Sequence, residues 1–99
     1  MAEKSSDWHV YLIRSASGSL YAGITTDLQR RLQEHRGDSP GGAKYLRGKG
    51  PLEMVWSTVV ADRSMASKLE SKLKKLPKQH KEALVAGSRS VASLLADLE

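Results

Sequence analysis

Residues 8–25 read WHVYLIRSASGSLYAGIT, and this stretch decides how the rest of the chain can fold. Apolar and polar side chains alternate over residues 8–14 and again over residues 19–25, which is the period of a half-buried β-strand. The residues between them, 15–18, are small and end in glycine, as in a turn. Two such runs around a short turn predict an antiparallel hairpin.

The hairpin carries two tyrosines that can share one face of the sheet. If residues pair so that their numbers sum to 32, Tyr11 lies directly across from Tyr21 on the same face. A slip of one residue would move one of them to the opposite face, because side chains alternate along a strand. The hairpin therefore predicts two neighbouring phenol groups.

A helix of about ten residues should follow the hairpin. Thr25 or Thr26 can cap its first turn, Asp27 favours the positive end of its dipole, and Gly37 is suited to end it. The side chains of Arg31 and His35 are one turn apart on a flank of the helix, within reach of the tyrosine face. The inner face carries Leu28 and Leu32, whereas Arg30, Gln33 and Glu34 should point outward.

The second half of the chain begins with a segment rich in glycine and basic residues. Residues 38–51 predict an open, mobile loop with a short helical turn at residues 43–47. A third strand is predicted over residues 52–60 from its β-branched and aromatic content. After it, Asp62 can cap a second helix, which Pro77 ends.

Glu70 lies at the margin of the buried stripe of this second helix and should be half buried. The stripe consists of Met65, Leu69, Leu73 and Leu76. Pro77, at a first-turn position, starts a further helix to about Ala86. Residues 91–98 predict a last helix closed against the same core.

The composition restricts the classes of protein to which the chain can belong. Its 99 residues, of which 39% are hydrophobic, suffice for one compact domain. Cysteine is absent, which excludes disulfides and thiolate metal sites and favours the cytoplasm. No apolar run approaches the roughly 18 to 20 residues that span a bilayer, so we expect no membrane partner.

The charge of the chain is positive and unevenly distributed. The formal net charge is +5, but residues 30–81 hold 13 Lys or Arg against 5 Asp or Glu. Such an excess attracts phosphate backbones without reading a sequence. Solubility alone is an alternative explanation for the charge.

Phosphodiester hydrolysis needs a cation, a positioned water with a base, a donor for the developing negative charge and a surface that holds the substrate. Glu70 is the only acidic residue between Arg63 and Lys81, and one carboxylate with waters is an ordinary way to hold Mg²⁺. The alternative is a surface ion pair with Lys74, four residues further on. Strand tyrosines also commonly just pack, and a lone arginine or histidine is commonly a surface residue.

The order of these residues resembles the GIY-YIG nuclease superfamily. Residues 10–12, Val-Tyr-Leu, are similar to the first half of its motif, and residues 21–23, Tyr-Ala-Gly, are similar to the second half. Arg31 and His35 match the arginine and the His or Tyr of the helix that follows, and Glu70 matches the metal-binding glutamate. The segments at residues 43–50 and 62–64 resemble the small, single-domain YhbQ-like branch.

The resemblance implies an α+β fold, with a three-stranded mixed or antiparallel sheet flanked by helices. It implies a flexible terminus at residues 1–7, a GIY-YIG-like domain at residues 8–86, and a C-terminal helix at residues 87–99 packed on the same domain. No small-molecule cofactor is implied beyond a metal ion. The oligomeric state stays open.

The resemblance also assigns roles. Glu70 would hold one Mg²⁺ or Mn²⁺, and Tyr21, or Tyr11 through it, would bind or deprotonate the attacking water. Arg31 would stabilise the pentavalent phosphate, and His35 would orient a tyrosine or the phosphate. The basic side chains that would hold the nucleic-acid backbone are Lys44, Arg47 and Lys49.

Three hypotheses follow for the function. The first is a metal-dependent DNA endonuclease of structure-selective or weak specificity that acts on branched or damaged DNA in repair or recombination. The second is a noncatalytic nucleic-acid-binding module on the same scaffold, which would fit the absence of asparagine, a residue that several family members place after the metal-binding helix. The third is an adaptor that binds another protein.

Overall fold

The computed structural model of the protein describes residues 7–36 and 50–96. In chain order the elements are β1 (Trp8–Arg14), β2 (Leu20–Thr25), α1 (Leu28–Arg36), β3 (Glu53–Val60), α2 (Arg63–Lys75), α3 (Lys78–Ala86) and α4 (Val91–Ala96). The elements follow the predicted order. The predicted turn at residues 43–47 and most of the predicted flexible terminus and loop lie outside the described residues.

Within these residues, β1, β2 and β3 form one antiparallel sheet in the order β2-β1-β3. The central strand, β1, is paired on both edges, and its residues 10–13 are almost completely buried. The predicted α+β class is confirmed. All strand pairs in this sheet are antiparallel. Of the two predicted forms, mixed and antiparallel, the second is therefore the correct one.

The register of the hairpin differs from the predicted one. Tyr11 pairs with Gly23, and Tyr21 pairs with Ile13, so the two tyrosines are diagonal neighbours and not direct partners. The shift amounts to two residues. Both phenols therefore stay on the same face, because only an odd shift exchanges the faces of a strand.

The cause of this register is steric. A Cβ atom at Gly23 would lie 2.9 Å from Cε1 of Tyr11 and still closer to the phenol oxygen, so the ring crosses β2 at a residue without a side chain. A second tyrosine could not occupy that position. The turn adjusts accordingly: the Ser15 N–H donates to the Ser19 carbonyl over 3.0 Å, and Gly18 takes the left-handed φ of 93°.

Each face of the sheet has its own apolar core. The core under α2, α3 and α4 contains Val10, Leu12, Ala22, Val60, Ala66, Leu69, Leu73, Leu84 and Leu94. The core under α1 contains Tyr11, Ile13 and Leu52, with Tyr21, Leu28, Leu32 and Met54 packed against them. Because α1 and α2 cover opposite faces, a site that uses both helices must lie at an edge of the sheet.

Both helices that carry predicted site residues begin at an aspartate. The Asp27 Oδ1 accepts a hydrogen bond of 3.0 Å from the Arg30 N–H, so Asp27 caps α1, and the predicted Thr25 or Thr26 cap is wrong. Thr25 instead accepts from the Asp27 N–H. Asp62 caps α2 as predicted, over 2.9 Å. No helix among the described residues is long and apolar enough to cross a membrane.

Helix α3 is linked to the hairpin turn by hydrogen bonds that hold the turn in place. Pro77 is the N-cap of α3 and not a residue of its first turn, one position earlier in the helix than predicted. The Arg14 guanidinium donates to both carboxylate oxygens of Glu82, over 2.7 and 2.6 Å, and to the Gly18 carbonyl. The hydrogen bond from Arg14 lowers the pKa of Glu82 to about 2.

Candidate active site

The predicted residues of the hairpin and of α1 come together on one face of the sheet. Only two residues separate β2 from α1, so the helix folds directly back over the strand from which it emerges. This places the His35 ring 5.9 Å from the Tyr11 ring and 5.6 Å from the Tyr21 ring, measured between centroids. We call the region around Tyr11, Tyr21, Arg31, His35 and Glu70 the basin.

Tyr11 is the buried centre of the basin. Its side chain is 1% exposed, and its hydroxyl lies 2.8 Å from Nε2 of His35. Burial raises the pKa of Tyr11 to about 12, although the neighbouring Arg31 guanidinium, a hydrogen-bond partner of the phenol, opposes this shift. Tyr11 is therefore a neutral phenol at physiological pH.

His35 shares the burial of Tyr11. Burial, together with the positive charge of Arg31, lowers the pKa of His35 to about 4, so the imidazole is neutral at pH 7. The hydrogen bond between the Tyr11 hydroxyl and Nε2 of His35 therefore joins two neutral groups, and which of them donates depends on the tautomer of the imidazole.

Arg31 is held by the carboxylate of Glu34, a residue that we predicted to point outward into solvent. Its Nη1 donates to Oε1 of Glu34 over 2.9 Å, and the Glu34 side chain is only 19% exposed. The prediction that Glu34 points outward is therefore wrong, because pairing with Arg31 draws it against the basin. Desolvation lowers the pKa of Arg31, but hydrogen bonds with Glu34 and Tyr11 outweigh it and raise the pKa overall.

Glu70 reaches the basin from α2, which packs mainly against β2 and β1. Its side chain is 23% exposed, so the predicted half-burial is confirmed. The negative charge of Glu70 is the smallest of the contributions that raise the pKa of Tyr11. Its Oε2 is also 3.5 Å from Nζ of Lys74, so the ion pair considered as the alternative exists beside the basin.

A divalent ion is the cofactor that the resemblance implies, and the donors in the basin can be compared with its needs. Glu70 supplies one partly exposed carboxylate next to the phenol groups. Over residues 7–36 and 50–96, no three acidic or histidine side chains cluster into a cage. Mg²⁺ commonly binds through one or two carboxylates and keeps several waters. The basin therefore fits a one-carboxylate site for Mg²⁺ or Mn²⁺.

The structure brings Tyr11, Tyr21, Arg31 and His35 together, and the charge of Glu70 acts on Tyr11. Lys44, Arg47 and Lys49 lie outside the described residues. Sequence reasoning missed the contribution of Gly23, on which the position of the Tyr11 ring depends, and the ion pair of Glu34. The spacing of three residues between Arg31 and Glu34 was the available signal for that pair.

Comparison with known proteins identifies relatives over nearly the whole chain. The sequence profile of the GIY-YIG catalytic domain matches residues 7–83. A UPF0213 protein of Vibrio cholerae serotype O1 is 55% identical over 95 residues, which cover 95% of this chain and 92% of that protein. The UPF0213 protein YhbQ of Escherichia coli strain K12 is 51% identical over 92 residues, covering 93% and 90%.

Solved structures show the same fold. The solution NMR structure of the protein EF2693 from E. faecalis superposes with a TM-score of 0.59 at 30% identity, covering 87% of this chain and 90% of that one. The UPF0213 protein BH0048 from Bacillus halodurans gives a TM-score of 0.51 at 36% identity, covering 81% and 83%. The chain therefore belongs to the GIY-YIG superfamily, within its small, YhbQ-like branch.

Proposed function

We propose that the protein is a metal-dependent DNA endonuclease that hydrolyses phosphodiester bonds, with structure-selective or weak sequence specificity. Membership of the GIY-YIG superfamily, a family of nucleases, implies a nucleic-acid substrate. The observation that carries the proposal is the convergence of Tyr11, Tyr21 and His35 on one face of the sheet, beside an arginine whose guanidinium is held by Glu34. We further propose that the protein acts in DNA repair or recombination in the cytoplasm.

The two tyrosines have different parts in this mechanism. Tyr11, with a pKa of about 12 and a hydrogen bond to His35, keeps its proton and positions its neighbours. Tyr21 is half-buried, and its ring meets the edge of the His35 ring. We assign to Tyr21 the binding or deprotonation of the attacking water, since Tyr21 is the less buried of the two tyrosines.

Arg31 supplies permanent positive charge at the basin. Its pairing with Glu34 fixes the guanidinium, and its hydrogen bond with Tyr11 directs it toward the reacting groups. A guanidinium in this position can donate to the phosphate oxygens as their negative charge grows in the transition state. Glu70 would hold the Mg²⁺ or Mn²⁺, which when bound adds charge neutralisation and activates water.

The test uses substitutions that remove charge and leave the fold in place. In Glu70→Gln the carboxylate is lost at constant size, and in Arg31→Ala the guanidinium is lost. We expect both to lower Mg²⁺-dependent cutting by roughly a hundredfold or more while the melting temperature stays within a few degrees. Cleavage is measured on labelled single-stranded, duplex, flap and four-way-junction DNA with Mg²⁺, Mn²⁺ or chelator.

Glu53→Gln is the matched control, because Glu53 is an exposed carboxylate at the start of β3 that does not belong to the basin. This variant should cut at the rate of the unmodified protein. Equal cutting by Glu70→Gln and Glu53→Gln would assign the activity to a contaminating nuclease and end the proposal.

A noncatalytic nucleic-acid-binding module is the second candidate. The absence of asparagine from the whole chain favours it, and so does the ion pair between Glu70 and Lys74. Such a module would bind DNA or RNA in a salt-sensitive manner, indifferent to chelator and to Glu70→Gln. Metal-stimulated turnover of any substrate in the panel would rule it out.

A further inference from the structure

We propose that the basin continues along one flank of α2 as a track for the nucleic-acid backbone, formed by Lys74 and Lys78 and leading to the hairpin turn. The track would hold phosphates on one side of the bond to be cut. It rests on the proposed nuclease function, since the basin defines where the track begins. It adds a binding surface made of residues that the roles assigned above do not use.

The direction of the track follows from the geometry of α2. Lys74 is one helical turn beyond Glu70, and so about 6 Å further along the same flank. Its Nζ lies 3.5 Å from the Glu70 carboxylate, and its side chain is 56% exposed. Lys74 therefore stands at the exit of the basin with an ammonium group that solvent, or a phosphate, can reach.

Lys78 is the first residue of α3, beyond the break that follows α2. Its Nζ lies 3.9 Å from the position that a Cβ atom of Gly18 would take, so it stands over the hairpin turn. It pairs with Glu82 over 3.6 Å, but its side chain is 60% exposed and Glu82 is already bound by Arg14. An exposed pair of this kind is weak, and a phosphate can compete for the ammonium.

The turn beside Lys78 leaves room for a polynucleotide. Residues 15–19 read Ser-Ala-Ser-Gly-Ser, so no side chain in the turn is larger than serine. Ala16 and Ser17 are exposed. The bond from Arg14 to the Gly18 carbonyl and to Glu82 holds the turn against α3, so the surface is fixed before a ligand arrives.

The opposite flank of α2 provides a matched control. Lys68 and Lys75 are exposed lysines of the same helix, but the helical period places them on the side away from Glu70 and Lys74. Replacing either pair removes the charge of two exposed lysines, from α2 alone in the control and from α2 and the start of α3 in the track. A difference between the two pairs therefore reports position and not net charge.

The experiment measures binding of a fluorescein-labelled 30-nucleotide single strand and duplex in chelator, over a series of salt concentrations. The double variant Lys74→Gln/Lys78→Gln should bind roughly tenfold more weakly at low salt, with the salt slope reduced by about two. The double variant Lys68→Gln/Lys75→Gln should change affinity less than about threefold. Equal losses in the two double variants, or no loss in the first, would overturn the track.

Failure of the track is distinguishable from failure of the proposed function. If Glu70→Gln abolishes metal-dependent cutting while Lys74→Gln/Lys78→Gln binds normally, the nuclease stands and the track is wrong. If no variant or condition gives cutting but this double variant binds weakly, the track stands and the nuclease is wrong. Melting temperatures of both double variants exclude unfolding as the cause.

Cross-linking gives a second readout that does not depend on affinity. The chain has no cysteine, so Ala16→Cys in the turn and Lys68→Cys on the opposite flank of α2 each create a single attachment site. A benzophenone attached at the turn should cross-link the bound strand efficiently, and one attached at the helix should not. The reverse order of yields would contradict the proposed path.

Discussion

Gly23 is the residue on which the position of the Tyr11 ring depends. In Gly23→Ala the added methyl group would overlap the Tyr11 ring. This ring is buried and its hydroxyl is hydrogen-bonded to His35, so it cannot shift to relieve the overlap. We expect the free energy of unfolding to fall by about 1 to 3 kcal/mol in urea denaturation. Gly50→Ala is the control, since its Cβ would meet no atom closer than 3.9 Å. Equal stability of the two variants would contradict the register.

His35 should make the stability of the protein depend on pH. Its pKa is lowered from 6.5 to about 4, mainly by burial. The unfolded chain therefore binds a proton near pH 6.5, while the folded protein does so only near pH 4. The stabilisation is complete above pH 6.5 and is lost as the pH falls through this window, by up to about 3 kcal/mol. Urea unfolding from pH 8 to 4 measures it.

The variant His35→Gln keeps a polar partner for Tyr11 but does not titrate in this range. Its free energy of unfolding should vary less between pH 6.5 and 4 than that of the unmodified protein. Carboxylates such as Glu82, whose pKa is also lowered, act equally in both proteins and cancel in the difference. Identical slopes would show that His35 is not the titrating group.

At the scale of elements, the N-cap of α1 stabilises the helix that carries both Arg31 and His35. Asp27→Ala removes the acceptor of the Arg30 N–H, which lies in the turn just before Arg31. We expect a loss of about 1 kcal/mol in the free energy of unfolding, measured by urea denaturation, because helix N-caps contribute about that amount. Asp27→Asn should retain most of the stability, since the amide oxygen can accept the same bond. If Asp27→Asn lost as much stability as Asp27→Ala, the stabilisation would come from the negative charge of Asp27 and not from its hydrogen bond as a cap.

At the scale of the whole molecule, the narrowness of the sheet makes the site possible. Helices α1 and α2 cover opposite faces, and β2 is an edge strand between them. Tyr11 from the central strand crosses β2 at Gly23, and the charge of Glu70 on α2 contributes to the raised pKa of its phenol. A further strand beside β2 would place the two helices further apart and weaken this interaction.

Local sequence patterns were enough to predict the elements and their order, because hydrophobic period and capping residues act over a few neighbours. They also predicted the half-burial of Glu70, since the margin of a helical stripe follows from spacing alone. The pairing of α1 with the tyrosine face followed in the same way from a connection of two residues.

The details that depend on contact between residues distant in sequence could not be predicted and became visible only in the folded protein. The hairpin register followed from the Tyr11 ring meeting Gly23, which alternation of strand residues cannot reveal. Glu34 turned toward the basin because Arg31 lies there, half shielded from water. The raised pKa of Tyr11 and the lowered pKa of His35 arise from burial, a property of the packed chain and not of local spacing.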